Sequence, residues 1–258
     1  MKPYALITGA SSGIGLELAN TFAKNGYNLV LVARSKDKLD AVAAECKTQH
    51  GTESLVIEAD LSKMNSAQKI FETTKKAQIN IDALVNNAGF GDFGEFSSRD
   101  WQKQSDMIHL NIHALTHLTH LYLPQMIEQK NGYILNVASI VAFFPGPLMS
   151  VYFATKAFVL SFSEAISEEL IGTGVSVTAL CPGATESGFQ KAAVLEESRM
   201  VKNRKMPTAA EVAEYGYNAM IAKKVVAVPG LLNNLRVLSP RFLPRSTMRK
   251  IVKSLQQE

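Results

Sequence analysis

Seven short apolar runs recur along the chain of 258 residues, and segments with a helical pattern separate them. Several runs, such as NLVLVA and VSVTAL, are continuously apolar, which is typical of strands that are covered on both faces of a sheet. Repeated units of strand, helix and strand predict a mostly parallel sheet with right-handed crossovers. Helices are predicted at Gly13–Lys24, Lys36–Thr48 and Tyr152–Leu170. The predicted strands are Tyr4–Thr8, Asn28–Ala33, Glu53–Glu58, Ala83–Asn86, Tyr133–Ala138, Val175–Leu180 and Val225–Val228.

Two architectures are built from such units, the doubly wound sheet and the (β/α)8 barrel. Seven strands and a first βα turn that is rich in glycine favour the doubly wound sheet. We therefore predict a doubly wound α/β fold, in which a seven-stranded parallel sheet lies between two layers of helices.

The composition excludes several classes of protein. With 47% hydrophobic and 19% charged residues, the chain is not expected to be intrinsically disordered. The chain has no run of about 18 apolar residues, so no transmembrane helix is predicted. The first ten residues lack the long apolar stretch of a secretory signal. The two cysteines, Cys46 and Cys181, have no metal-binding spacing and fit a reducing compartment. We therefore expect a cytoplasmic protein.

The net charge of +4 is concentrated at one end of the chain. From Arg236 onward, six basic residues are opposed only by Glu258, so this tail carries a net charge of +5 and residues 1–235 carry −1. Proteins that bind nucleic acid usually have basic residues across a face of the fold, with stacking aromatic residues between them. No nucleic-acid partner is expected.

A glycine-rich turn follows the first predicted strand and precedes a helix, with the sequence TGASSGIG at 8–15. Its glycines allow a tight turn and a close approach of the backbone to a pyrophosphate, and the start of the helix favours an anion. A glycine-rich turn without a ligand is the alternative, since such short patterns also occur by chance. The candidate residues are Gly9, Ser11, Ser12, Gly13, Ile14 and Gly15.

The end of the second strand indicates which dinucleotide would bind. NAD sites usually have an acidic residue there, which binds the ribose 2′-OH. Here the position is taken by Arg34, with Ser35 beside it. Because a guanidinium binds a 2′-phosphate that a carboxylate would repel, we expect NADP(H). In the alternative reading, Arg34 is a solvated surface charge.

A possible catalytic group lies in the second half of the chain. Ser139 ends a predicted strand, and Tyr152 and Lys156 are four residues apart, which places them on one face of a helix. A nearby ammonium would lower the pKa of the phenol and make proton transfer feasible. Ser139 could hold a substrate carbonyl. On its own, this pattern would also fit an ordinary helix.

Four motifs together resemble those of the short-chain dehydrogenase/reductase family: TGASSGIG, NNAG at 86–89, Ser139 with the Tyr152–Lys156 pair, and Pro182-Gly183. The resemblance implies a Rossmann-type domain, a nicotinamide cofactor and interconversion of a carbonyl and an alcohol by hydride transfer. It also implies a catalytic set and further cofactor contacts. The catalytic set is Asn111, Ser139, Tyr152 and Lys156, and the further cofactor contacts are Asp60 and Leu61 at the adenine, Asn87, Ala88 and Gly89 at its ribose, Tyr152 and Lys156, and Pro182, Gly183, Thr185 and Ser187 along the nicotinamide.

The segment HLNIHALTHLTH places Asn111 on the apolar, inward face of a predicted helix. The resemblance implies that this residue holds a water molecule that links Lys156 to bulk solvent; a purely structural role is the alternative. Four histidines lie on the opposite face: His109, His113, His117 and His120. We expect no metal there, because no Cys or acidic cluster completes a set of ligands. A surface or subunit-interface stripe in a homodimer or homotetramer is expected instead.

Substrate should bind beyond the carboxyl ends of the strands, next to the cofactor. The loops there are rich in aromatic residues, so we expect a lipophilic ketone or aldehyde. The candidate substrate residues are Ser139, Phe93, Phe143, Phe144 and Phe189. Residues 1–235 would then form one catalytic domain, with a substrate lid at 184–206.

Residues 236–258 would form a basic extension with a short helix, whose apolar stripe is Met248, Ile251, Val252 and Leu255. Packing of this helix on its own domain or on a second subunit is one reading, and weak peripheral contact with a membrane is the other. For the whole protein we predict an NADP(H)-dependent oxidoreductase, with a non-catalytic NADP(H)-binding sensor as the alternative.

Overall fold

The computed structural model describes residues 2–186 and 206–256. Within these residues the sheet has seven strands in the order β3-β2-β1-β4-β5-β6-β7, and every neighbouring pair is parallel. The predicted Rossmann-type sheet is confirmed, and no strand boundary differs from the predicted one by more than one residue. The strands are β1 (Tyr4–Thr8), β2 (Asn28–Ala33), β3 (Ser54–Glu58), β4 (Ala83–Asn86), β5 (Gly132–Val137), β6 (Val175–Leu180) and β7 (Val226–Ala227).

Helices follow most of the strands. A π-helical segment, His109–Ala114, joins the helix that ends at Ile108 to the helix that begins at Leu115. No helix in the described ranges is long and apolar enough to cross a membrane. The helices are α1 (Gly13–Lys24), α2 (Lys36–His50), α3 (Ser66–Lys76), α4 (Trp101–Ile108), α5 (Leu115–Glu128), α6 (Ser150–Glu169), α7 (Ala209–Ile221), α8 (Leu231–Leu238) and α9 (Arg245–Gln256), with short 3-10 helices at Phe96–Ser98, Ile140–Phe143 and Ser239–Arg241.

Two layers of helices cover the sheet, because alternate residues of a strand point to opposite faces. In β1, Ala5 and Ile7 pack against α1, α2 and α7, whereas Leu6 packs against α3, α5 and α6. Both faces are therefore buried, which explains why the strands are continuously apolar.

The order of the strands reverses between β1 and β4, and this reversal opens a crevice at their carboxyl ends. Thr8, at the end of β1, fixes the loop that follows β4. Its Oγ1 accepts hydrogen bonds from the backbone N–H groups of Asn87 and Ala88, both at 3.0 Å, and Asn87 Nδ2 donates to the Thr8 carbonyl at 2.8 Å. The two sides of the crevice are thus tied together.

A chain of buried polar groups connects the end of β4 to α6. Asn86 Nδ2 donates to Asn136 Oδ1 on β5 at 2.9 Å, and Asn136 Nδ2 donates to Ser163 Oγ on α6 at 2.9 Å. Because buried amides must be hydrogen-bonded, these contacts hold α6 in a defined position on the sheet.

The C-terminal helix α9 packs on the body of the protein through one face. Met248, Val252 and Gln256 are buried, whereas Ile251 and Leu255 of the predicted apolar stripe are exposed. Val252 belongs to the same buried cluster as Tyr152. Packing on its own domain therefore accounts for part of the stripe.

Candidate active site

In the glycine-rich turn after β1, the backbone at Gly15 lies close to the backbone at Gly9. Gly9 and Gly13 have positive φ angles of 68° and 56°, which favour glycine. A Cβ atom on Gly15 would lie 2.2 Å from the Gly9 carbonyl oxygen, so the turn has no room for a side chain there. Since α1 begins at Gly13, the turn presents the positive end of a helix to the crevice.

One cleft of about 790 Å³ runs along the carboxyl ends of the strands, a size typical of ligand pockets. All the predicted cofactor residues that the structure describes line its wall, and Ser187 lies outside the described residues. The cofactor candidates that line the cleft are Gly9, Ser11, Ser12, Gly13, Ile14, Gly15, Arg34, Ser35, Asp60, Leu61, Asn87, Ala88, Gly89, Tyr152, Lys156, Pro182, Gly183 and Thr185.

One end of the cleft is polar and carries positive charge. Arg34 and Ser35 follow β2 there, and Lys38, which the sequence reading missed, lines the same wall. A search for a second cation within one helical turn of Arg34 would have found it. Both Arg34 and Lys38 are exposed, so they can reach an anion in the cleft. Two cations and a hydroxyl form a suitable site for a phosphate group.

Asp60 lies near this positive end. Its Oδ1 accepts hydrogen bonds from the backbone N–H of Ser62 at 3.0 Å and from Ser62 Oγ at 2.7 Å. Burial raises the pKa of Asp60, but these hydrogen bonds and the charges of Arg34 and Lys63 outweigh burial, and the pKa falls below its ordinary value. Asp60 is therefore a fixed carboxylate at neutral pH.

Three residues of the predicted catalytic set, Ser139, Tyr152 and Lys156, line the cleft together. Tyr152 and Lys156 project from the first turns of α6, and Ser139 follows β5. The Ser139 hydroxyl is hydrogen-bonded to the Tyr152 side chain, donates to the Pro182 carbonyl at 3.3 Å, and accepts from the Val141 N–H at 3.3 Å. A carbonyl oxygen in the cleft could therefore reach two hydroxyl groups.

Lys156 is 6% exposed, and its Nζ donates to the Val137 carbonyl at 2.7 Å. Burial lowers the pKa of Lys156 to about 8. Nζ also lies 5.9 Å from the centre of the Tyr152 ring. The Lys156 ammonium thus lies beside the Tyr152 ring, but its hydrogen bond is to the backbone carbonyl of Val137.

The expected direction of the Tyr152 pKa is wrong for this structure. Burial raises the pKa of Tyr152 well above its ordinary value, and the hydrogen bond with Ser139 offsets only part of that rise. The phenol therefore keeps its proton at neutral pH.

Asn111 is buried, as predicted, and lies just behind the wall of the cleft. Its Oδ1 accepts from the Phe90 N–H at 3.2 Å, and its Nδ2 donates to the Phe90 carbonyl at 3.0 Å and to Thr155 Oγ1 at 3.0 Å. A Cβ atom on Gly89 would lie 3.0 Å from Asn111 Oδ1 and 3.5 Å from Lys156 Nζ. Asn111 thus braces the loop after β4 against α6.

Of the predicted aromatic substrate residues, Phe93, Phe143 and Phe144 are not part of the cleft wall that the structure describes. Phe93 and Phe144 pack in the cluster that contains Tyr152, whereas Phe143 packs in a different cluster. Phe189 and most of the predicted lid at 184–206 lie outside the described residues. The apolar side chains that do line the cleft near Tyr152 are Phe90, Ile140, Val141, Met149 and Phe153.

The four histidines are not equally exposed. His113 and His120 are exposed, but His109 and His117 are partly buried, and His117 Nδ1 is buried without a hydrogen-bond partner. Burial lowers the pKa of His117, and the charges of His113 and His120 add to this effect. The π-helical segment changes the helical phase on which the predicted stripe was based. Among the described residues, no group of three His, Cys, Asp or Glu side chains could hold a metal ion.

The fold and the site together define a dinucleotide-binding protein of the Rossmann type with a Ser–Tyr–Lys group in its cleft. Residues 3–198 match the short chain dehydrogenase family, and the chain belongs to this family.

A similar curated protein is the human 17-beta-hydroxysteroid dehydrogenase type 3, which is 38% identical over 194 residues. The match covers 74% of this chain and 62% of the human protein, so the chain spans about three fifths of that relative's length.

Solved structures of similar proteins cover nearly all of the chain. A short-chain dehydrogenase from Sphingobium yanoikuyae in complex with NADPH is 32% identical with a TM-score of 0.82, covering 95% of this chain and 97% of that one. The bulky-bulky ketone specific alcohol dehydrogenase from Comamonas testosteroni is 31% identical with a TM-score of 0.78, and the shares covered are 95% and 96%.

Proposed function

We propose that this protein is an NADP(H)-dependent oxidoreductase that interconverts a lipophilic ketone or aldehyde and the corresponding alcohol. The observation that carries the proposal is that one cleft is lined by Ser139, Tyr152 and Lys156 and also by Arg34 and Lys38. The first three fit the chemistry of a carbonyl, and the last two fit the 2′-phosphate that distinguishes NADP(H) from NAD(H). The NADPH bound to the similar Sphingobium protein supports this choice.

NADP(H), when bound, supplies or accepts the hydride at the carbonyl carbon. In reduction, Ser139 orients the carbonyl oxygen by a hydrogen bond, and Tyr152 donates a proton to that oxygen. Because burial keeps the phenol protonated at neutral pH, Tyr152 has a proton to donate in this step. Lys156 lies beside the phenol and can return a proton to it, since burial brings its pKa to about 8. Asn111 positions this group through Phe90 and Thr155, and its role in a water relay remains part of the proposal.

A lipophilic substrate is supported by the apolar wall near Tyr152, which includes Phe90, Met149 and Phe153. It is also supported by the names of the similar proteins, which refer to a hydroxysteroid and to bulky ketones. A sensor without turnover is not favoured by any feature of the described residues, since all four members of the catalytic set are present.

We also propose a cytoplasmic location and a homodimer or homotetramer. Both cysteines are free and buried, which suits a reducing compartment. The partly exposed histidine stripe on α5 and the preceding π-helical segment is the surface proposed for the subunit contact. Sedimentation at pH 8 and at about pH 5.5 tests the contact, because protonation of the histidines should weaken it. Unchanged sedimentation would count against it.

The test of the proposed function is the oxidation of NADPH and of NADH with ketones and aldehydes of increasing size. We expect turnover with bulky lipophilic carbonyl compounds and a preference for NADPH of at least about tenfold, from hydrogen bonds between charged groups. A preference for NADH, or no turnover with any carbonyl compound while NADPH binds, would contradict it.

A further inference from the structure

Helix α8 has its apolar side chains on the outside. Leu231, Leu232, Leu235 and Leu238 are between 43% and 78% exposed. At about 100° per residue they cover an arc of about 120°. On the opposite side of the helix, Asn233 Nδ2 would lie 2.8 Å from a Cβ atom on Gly183, and Val237 packs against a buried cluster. The helix is therefore fixed through Asn233 and Val237, and the face that carries the four leucines points away from the body.

The exposed apolar surface continues past the end of α8. Phe242, in the turn before α9, is 81% exposed, and Leu243 beside it is also exposed. Solvent-exposed apolar patches of this kind usually mark a contact surface. We call Leu231, Leu232, Leu235, Leu238 and Phe242 the apolar face of α8.

Basic residues surround this face. Between Leu231 and Gln256 the chain has six basic and no acidic residues, and all six are exposed. None of them forms an ion pair with another residue in the described ranges. Because α9 is anchored by Met248 and Val252, its cations are held on the outside of the protein. The six residues are Arg236, Arg241, Arg245, Arg249, Lys250 and Lys253.

The combination of charge and exposure distinguishes the possible occupants. A symmetric contact between two copies would place this surface against itself and bring cations together without compensating anions. An anionic lipid surface instead attracts the cations, while its acyl region accepts the apolar side chains between them. Arginine and lysine can keep their charges at the headgroups while their alkyl stems lie along apolar groups.

We propose that the apolar face of α8 and the six basic residues around it form a docking surface for an anionic lipid membrane. The contact is peripheral and differs from the one expected from the sequence, which relied on the α9 stripe. In α9, Met248 and Val252 are buried and serve as the anchor, and the membrane side chains come from α8 and the following turn. The inference does not depend on the substrate or the cofactor.

The test is co-sedimentation of the full chain with vesicles of phosphatidylcholine mixed with phosphatidylglycerol, and with vesicles of phosphatidylcholine alone. We expect strong binding only to the anionic vesicles, weakened by salt. The triple variant Arg236→Gln, Arg241→Gln and Arg245→Gln should bind about a hundredfold more weakly, at about fivefold for each charge. A triple variant Leu231→Ser, Leu235→Ser and Phe242→Ser should lose at least about tenfold.

The matched control is a triple variant at exposed apolar residues elsewhere, Met64→Ser, Trp101→Ser and Ile171→Ser, which are 61%, 66% and 72% exposed. It should bind vesicles as the wild type does. The far-UV circular dichroism spectrum and the midpoint of thermal unfolding should be the same in all variants, which shows that they are folded. Equal binding to both kinds of vesicle, or an equal loss in the control, would overturn the proposal. Absence of vesicle binding together with a dimer that the α8 variant dissociates would assign the surface to a second copy instead.

Discussion

The cleft and the surface around α8 depart from the usual distribution of residues in opposite ways. At the cleft and just behind its wall, polar groups are buried: Asn111, Ser139 and Lys156 are between 1% and 8% exposed. On α8, apolar groups are exposed: Leu231 is 78% and Leu235 is 59% exposed. Ordinary folding preferences favour neither arrangement, because burying a charge is costly and exposing large apolar side chains forgoes burial.

The difference between the two regions lies in how they are supported. Each buried polar group of the cleft has hydrogen-bond partners within the protein, as Lys156 has in the Val137 carbonyl and Asn111 in Phe90 and Thr155. The outer sides of the α8 leucines are not packed against other side chains within the described residues, since these leucines are between 43% and 78% exposed. The described wall of the cleft is therefore supported from within the chain, whereas the apolar face of α8 is the surface for which we propose a contact outside it.

Tyr152→Phe is the change with the largest expected effect on the cleft. It removes the hydroxyl that donates the proton, so turnover should fall by about 10²–10⁴-fold, while the affinity for NADPH should change little. Steady-state kinetics and fluorescence titration with NADPH measure the two quantities. The matched control is Tyr122→Phe, which removes a buried hydroxyl bonded to Thr74 at 2.8 Å and should keep its activity. Unaltered turnover in Tyr152→Phe would contradict the role of Tyr152 as the proton donor.

Lys156→Met separates activity from stability. The folded pKa of Lys156, about 8, is below its ordinary value, so the unfolded chain binds more protons between about pH 8 and 10.5. The wild type should therefore gain stability as the pH rises through this range. Below it, the variant should be more stable than the wild type by about 3 kcal/mol, and this advantage should shrink towards pH 10.5, although turnover is lost.

Chemical denaturation at about pH 7 and pH 10 measures this difference. A variant that is less stable than the wild type at neutral pH would show that the contact with Val137 outweighs the cost of burial.

Arg34→Ala tests the positive end of the cleft. Loss of a charged hydrogen bond to a 2′-phosphate should lower kcat/KM with NADPH by about 10–100-fold and leave the value with NADH nearly unchanged. Lys38→Ala should act in the same direction with a smaller effect, because lysine binds phosphate without the paired geometry of arginine. Lys47→Ala, an exposed position on the same helix as Lys38, is the control. An equal loss with both cofactors would assign Arg34 a structural role.

Leu235→Ser should have the smallest effect on the folded protein. Since Leu235 is mostly exposed, the free energy of unfolding should change by less than about 0.5 kcal/mol. The substitution Leu118→Ser serves as the contrast, because Leu118 is buried in the core. It should destabilise the protein by several times as much. Thermal denaturation of both variants gives the two values. A large loss for Leu235→Ser would mean that the face is supported from within the chain.

The sheet could be predicted from the sequence because its signals are local. Continuous apolar strands and the glycine-rich turn depend on neighbouring residues, and the order of these elements allows few topologies. The cleft residues followed from the same motifs, and all the described cofactor candidates line one cleft.

Other features depend on contacts between distant parts of the chain. Nothing near Tyr152 in the sequence indicates how deeply its side chain is buried, so the direction of the Tyr152 pKa could not be inferred. The places of Phe93 and Phe143 depend on which cluster each loop joins. The outward apolar face of α8 was likewise hidden, because periodicity predicts which residues share a face but not whether that face points inward.

The transfer of deuterium from NADPH labelled at the nicotinamide C4 position tests the proposed chemistry most directly. A bulky ketone is incubated with the protein and the labelled cofactor, and the product is analysed by mass spectrometry. We expect an alcohol with one deuterium at the former carbonyl carbon, and none with Tyr152→Phe over the same time. Consumption of NADPH without deuterium in the alcohol, or transfer from labelled NADH alone, would contradict the proposed function.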